Sequence, residues 1–227
     1  MTAWDKNLSK IIDHTILKPD ATETDIRRVC SETRQYRFAA VVVPPCYVPL
    51  AVSELGGSGV PVCSVVSFPL GWEPLDVKLK QTERLLSLGA DEIDMVMNVS
   101  GFLSGQMSLV EKEIAEIASL CSDGAILKVI IETAYLDHDQ IALAAQLGVE
   151  AGANIIKTST GFGPRGASVD DVRIIKSAVS DRAGIKAAGG IRTKPQAQAL
   201  VEAGATRLGC STSVSLISEG KSVGSSG

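Results

Sequence analysis

Aromatic side chains are scarce, with Phe, Trp and Tyr making up 4% of the 227 residues. The apolar volume therefore comes from Val, Ile, Leu and Ala, the residues that fill layered parallel-sheet cores. Histidine occurs only as His14 and His138. Neither has neighbours at metal-ligand spacing, so a histidine-rich zinc site is excluded and no metal or cofactor is expected. Cys30, Cys46, Cys63, Cys121 and Cys210 are widely spaced and form no C-x-x-C pair, which predicts reduced thiols in a cytoplasmic protein. No apolar stretch approaches the ~18 uninterrupted residues of a membrane span, and no apolar secretory segment follows Met1-Thr2-Ala3-Trp4. Charge of one sign never runs long, and 22 basic against 26 acidic residues leave a formal net charge of −4. Nucleic acid and membrane surfaces are thus not expected partners.

Against these absences stand 21 glycines and an AVILMFWYC fraction of 45%, ample for a sizeable core. Short Val/Ile-rich runs alternate with amphipathic segments throughout. The runs expected to form strands are 11–13, 39–43, 61–66, 92–96, 126–131, 154–158, 184–187 and 207–209. Helical patterns occupy 22–35, 76–88, 109–121, 138–151, 168–179 and 195–203. Strand–helix alternation implies a parallel sheet, and eight units of this size predict a single-domain (β/α)8 TIM barrel. An open doubly wound sheet is disfavoured, because no G-x-G-x-x-G turn follows an early strand. The barrel domain is expected over 1–220, with Ser222-Val223-Gly224-Ser225-Ser226-Gly227 ending a flexible tail over 221–227. Barrel exteriors often form a homodimer or higher homo-oligomer, but no helix face here is apolar enough to name an interface.

Alternate residues of a barrel strand face inward. In the fourth strand that set is Glu92, Asp94, Val96 and Asn98; in the fifth it is Lys128, Ile130 and Glu132. Lys157 and Ser159 follow from the sixth strand and Lys186 from the seventh. Three consecutive strands therefore aim a lysine into the barrel. A lysine desolvated beside another cation becomes a neutral amine near pH 7, able to attack a carbonyl and form a Schiff base. Lys128, Lys157 and Lys186 would alternatively pair with Asp94, Glu132 and Asp13 as a purely structural network, but such pairing does not require three lysines on adjacent strands. Lys157 is the expected nucleophile, since Thr158-Ser159-Thr160 leave room for a substrate. Lys186 is the cation expected to lower its pKa, and Asp94 the expected acid/base group. Lys128 pairs with either Glu132 or Asp94.

Glycine-rich loops follow the last strands: Gly189-Gly190-Ile191-Arg192 and Gly209-Cys210-Ser211-Thr212. Loops after strands seven and eight of such barrels commonly bind phosphate through backbone N–H groups. Thr160-Gly161-Phe162-Gly163-Pro164-Arg165-Gly166 forms a third glycine-rich loop on the same rim. Asp13-His14-Thr15 ends the first strand and either contacts substrate hydroxyls or holds a satisfied rim histidine. Cys46 follows Pro44-Pro45 near the rim without an accompanying base.

Six motifs together resemble the deoxyribose-phosphate aldolase family: Ile12-Asp13-His14-Thr15, Val65-Val66-Ser67-Phe68-Pro69-Leu70-Gly71, Asp91 to Asn98, Lys128 to Thr133, Ile156 to Phe162 and Ile185 to Arg192. The resemblance spans about residues 8 to 220 in family order. It implies a class I aldolase that interconverts 2-deoxy-D-ribose 5-phosphate with glyceraldehyde 3-phosphate and acetaldehyde. By it, Lys157 matches the Schiff-base lysine, Lys186 the second active-site lysine and Asp94 the aspartate of the proton relay. Cys46 matches a cysteine often found in the pocket, while Gly189, Gly190, Arg192, Ser211 and Thr212 match the phosphate site. Two departures bear on phosphate affinity, namely Gly209-Cys210-Ser211-Thr212-Ser213 and Phe162, which is lysine in some members. Competing readings are another Schiff-base aldolase, a metal-free sugar-phosphate isomerase and a phosphate-metabolite binding protein.

Overall fold

The computed structural model describes residues 7–218. The opening residues 1–6 and the tail expected over 221–227 lie outside the described residues. Eight parallel strands close in sequence order into a barrel: β1 Ile12–Thr15, β2 Ala40–Val42, β3 Val62–Val66, β4 Glu92–Val96, β5 Ile126–Ile130, β6 Ile155–Lys157, β7 Gly184–Ala188 and β8 Arg207–Cys210. The outer layer comprises α1 Glu23–Tyr36, α2 Val48–Leu55, α3 Leu75–Ser87, α4 Val99–Leu103, α5 Met107–Cys121, α6 His138–Glu150, α7 Val169–Val179, α8 Lys194–Glu202 and α9 Ser213–Ser218. The expected TIM barrel is the observed fold.

Helices α2, α4 and α9 were not expected from the sequence. Pro45 and Pro49 mark the chain around α2 as a turn, yet Pro49 occupies the first helical turn, where a missing N–H costs nothing. Helices α4 and α9 are too short to show a 3.6-residue apolar period. The first strand also sits later than expected. It runs through Thr15, and the Ile16 N–H still donates to the Val42 carbonyl. Asp13 is therefore low in the barrel, and Thr15 stands near the rim.

Strand alternation divides the apolar residues. Ile93, Met95, Met97, Leu127, Val129 and Ile131 point outward into one continuous core beneath the helices. Val42, Cys63 and Val65 form a small separate cluster inside the barrel on the β2–β3 side. Much of the remaining interior is polar, with Asp13, Glu92, Asp94, Lys128, Lys157 and Lys186 all buried. Thr22–Asp25, Asp137–Gln140, Ser168–Asp171 and Thr193–Gln196 form capping boxes at the starts of α1, α6, α7 and α8. Each box, contributing on the order of 1 kcal/mol, fixes where a rim loop hands over to its helix.

Candidate active site

Parallel pairing sets the height of each functional side chain. Asp94 is level with Lys128 across β4 and β5, and Lys157 is level with Lys186 across β6 and β7. Lys186 is in turn level with Arg207 on β8. The long lysine side chains converge on Asp94 at the centre. Lys157 Nζ lies 2.7 Å and Lys186 Nζ 2.8 Å from its Oδ2, while Lys128 Nζ lies 2.7 Å from Oδ1. The Cys63 thiol also donates to Oδ1, at 3.1 Å.

A lower tier supports this centre. Asp13 accepts a 2.5 Å ion pair from Lys186 and a 2.7 Å contact from Arg207. Glu92 takes Lys128 at 2.6 Å and Arg207 at 3.3 Å. Burial opposes the negative charge of Asp94, but the surrounding ammonium groups of Lys128, Lys157 and Lys186 outweigh it and hold the carboxyl well below the usual range. Asp13 is lowered in the same way, burial being outweighed by Lys186, Lys128 and Arg207. Burial likewise disfavours charged Lys128 and Lys186, yet their carboxylate partners raise both above an ordinary lysine. Lys157 moves the other way. Burial lowers its pKa, Asp94 opposes that shift, and neighbouring Lys186 reinforces it.

Charge balance explains the difference. Three buried carboxylates, Asp13, Glu92 and Asp94, face four cationic side chains, Lys128, Lys157, Lys186 and Arg207. Charging all four would leave a buried surplus of one, which a low-dielectric interior penalises heavily. Releasing one proton restores neutrality. Lys157 contacts a single carboxylate oxygen, already shared with Lys186, and is the member that lines the cavity above. It is therefore the site at which a neutral amine costs least.

That cavity measures about 590 Å³ and opens among the loops following β1, β6, β7 and β8. Of the residues expected to meet substrate, it brings together Thr15, Lys157, Gly161, Gly189, Gly190, Arg192, Gly209, Ser211 and Thr212. Asp13 and Lys128 lie beneath it, fully buried in the charge cluster rather than on its wall. Thr158 is also buried, its hydroxyl accepting from the Ala188 N–H at 3.1 Å and tying β6 to β7. Cys46 stands on a short helical turn and faces a different cavity, shared with Pro44, Ser67, Phe68 and Arg84. His14 points out of the barrel, between Glu32 at 2.7 Å and Ser213 at 2.9 Å. Glu132 meets Thr160 and not Lys128, which settles the alternative partners of that lysine in favour of Asp94.

Several contributors escaped sequence reasoning. Lys18 and Arg28 add basic groups to the cavity wall beside acidic Asp20 and Asp25. Glu92 is already expected to face inward with Asp94 from the two-residue period, but its place in the charge cluster is not. Arg207 opens a strand too short for that pattern. Among the described residues, no three of His, Cys, Asp and Glu are arranged to hold a metal ion.

A family model for DeoC/LacD family aldolases matches residues 8–224. The deoxyribose-phosphate aldolase of Caldanaerobacter subterraneus subsp. tengcongensis is 46% identical over 220 residues, covering 96% of this chain and 95% of that protein. The one from Bacillus mycoides is 44% identical over 93% of this chain and 95% of its own length. The solved deoxyribose phosphate aldolase of Aeropyrum pernix superposes with a TM-score of 0.88 at 37% identity, covering 94% of this chain and 90% of that one. With both its length and its barrel matched in this way, the chain belongs to the DeoC/LacD family of aldolases.

Proposed function

We propose that this aldolase cleaves 2-deoxy-D-ribose 5-phosphate reversibly to glyceraldehyde 3-phosphate and acetaldehyde through a Schiff base on Lys157. The observation that carries the reading is Lys157 itself, a lysine with a lowered pKa on the cavity wall, 2.7 Å from Asp94. Its neutral amine attacks C1 of the open-chain aldehyde, and loss of water leaves an iminium. Electrons from the C2–C3 bond flow into that iminium as the C3 hydroxyl gives up its proton to the Asp94–Lys186 pair. Glyceraldehyde 3-phosphate departs. The remaining enamine takes a proton at carbon, and hydrolysis frees acetaldehyde and the lysine.

Raised Lys186, held by Asp13 and Asp94, serves as the proton-bearing member of the relay. The phosphate sits among Gly161, Gly189, Gly190, Arg192, Ser211 and Thr212, where backbone N–H groups and one guanidinium are available to an anion. A cytoplasmic location suits the five unpaired thiols. The Aeropyrum pernix relative is described as tetrameric, and a homo-oligomer is the assembly we infer for this chain.

Borohydride trapping tests the reading. Incubation with deoxyribose 5-phosphate followed by reduction should add the substrate-derived mass to the peptide carrying Lys157. Turnover without any adduct would overturn the Schiff-base route.

A further inference from the structure

Glu132 has no part in this chemistry and does not line the cavity, yet its setting is unusual. It follows β5 by two residues and has a left-handed backbone, φ 50° and ψ 67°, a conformation that non-glycine residues seldom hold without a reason. Its side chain is buried, and one oxygen, Oε2, accepts both the Thr160 N–H, at 3.0 Å, and the Thr160 hydroxyl. That hydroxyl accepts in turn from the Phe162 N–H at 3.0 Å. The other oxygen, Oε1, is buried without a hydrogen-bond partner and faces Gly163, where a Cβ would stand 3.0 Å away.

The loop over 160–166 is pressed against β7 on its opposite side. A Cβ on Gly166 would fall 2.1 Å from the Gly189 carbonyl oxygen, and the Ala167 N–H donates to the Ala188 and Gly189 carbonyls. Arg165 pins the same loop to the Thr133 carbonyl at 2.9 Å and to Asp171. The segment is thus clamped between the end of β5 and the glycine turn after β7, and it presents Gly161 and Phe162 to the cavity.

We infer that Glu132 is a positioning residue for the phosphate end of the substrate, acting through Thr160 on the backbone of Gly161 and Phe162. The inference rests on the functional reading above. Its carboxylate sets the height of that backbone relative to Gly189 and so the spacing of the N–H groups that meet the anion. Its side chain bonds Thr160 and not Lys157, Lys186 or Asp94.

The test compares Glu132→Leu and Glu132→Gln with the unaltered enzyme on deoxyribose 5-phosphate and on unphosphorylated 2-deoxyribose. Losing both hydrogen bonds in Glu132→Leu should raise KM for the phosphorylated sugar about tenfold, with kcat within about twofold and 2-deoxyribose kinetics unchanged. Glu132→Gln keeps an accepting oxygen and should restore most of the affinity; it also carries the comparison if the leucine variant does not fold. Inorganic phosphate binding, measured by titration without turnover, should weaken in parallel. Equal losses on both sugars, or unchanged phosphate binding in both variants, would overturn the positioning role. Absence of turnover by the unaltered protein would instead overturn the functional reading, while the phosphate titration still judges Glu132.

Discussion

Lys157 and Lys186 stand level on adjacent strands, yet their proton affinities shift in opposite directions. The cause is their count of partners, since Lys186 bonds Asp13 and Asp94 while Lys157 bonds Asp94 alone. Lys157→Ala should therefore abolish cleavage and leave far-UV circular dichroism unchanged, because three carboxylates still face three cations. Retained activity would defeat the assignment. Lys186→Leu removes a cation, so Lys157 must take up the positive charge and its pKa must rise. The acid limb of the pH–rate profile should then move to higher pH. Glu92→Gln touches Lys128 and Arg207 but not Lys157, and by removing a negative charge it should move the same limb to lower pH. Shifts of equal sign in these two variants would refute the charge balance. The lysines and Asp94 were legible from two-residue periodicity alone. Asp13 was misjudged as a rim residue because the sequence does not mark where β1 stops, and a shift of two residues carries a side chain from rim to floor.

The loops and helices around the barrel divide stability from function. Among the described residues Lys78 and Glu113 make a second fully buried ion pair, 2.7 Å between α3 and α5 and remote from the cavity. Burial pulls the Lys78 pKa down, and the Glu113 carboxylate opposes that shift. Removing one partner strands the other, so Lys78→Met should cost roughly 3–5 kcal/mol in urea unfolding. Lys78→Met combined with Glu113→Leu should recover most of that loss, and kcat/KM should be unaltered in both. A single variant as stable as the double would show that the pair is not desolvated. This pair was not apparent in the sequence, since each residue reads as an ordinary charged position on an amphipathic helix. The loop after β6 was only half legible. Its glycines announced a turn, but the Glu132 and Gly189 contacts that clamp it come from strands 28 or so residues away in either direction.

At the scale of the whole molecule, a net charge of −4 describes the surface and conceals a nearly neutral but densely charged barrel interior. That interior makes stability depend on pH in steps whose signs follow from the shifts. Asp13 and Asp94 are lowered from the usual 3.8, so their contribution is complete above that value and is lost as pH falls through their folded values. Lys128 and Lys186 are raised from 10.5, so theirs is complete below that value and is lost only as pH climbs above it. His14 adds an earlier acid step. Burial lowers its pKa from 6.5, opposed by Glu32, so the unfolded chain binds that proton first and stability declines as pH drops below 6.5. At and below neutral pH, urea unfolding should therefore give a shallow decline beginning near 6.5 and a steep one below 3.8. His14→Gln should erase the shallow step and leave the steep one, because His14 lies outside the barrel wall and the aspartates inside it. A shallow step that survives in this variant would assign the early proton uptake to another group, and a steep step that vanished would mean that His14 is coupled to the charged interior.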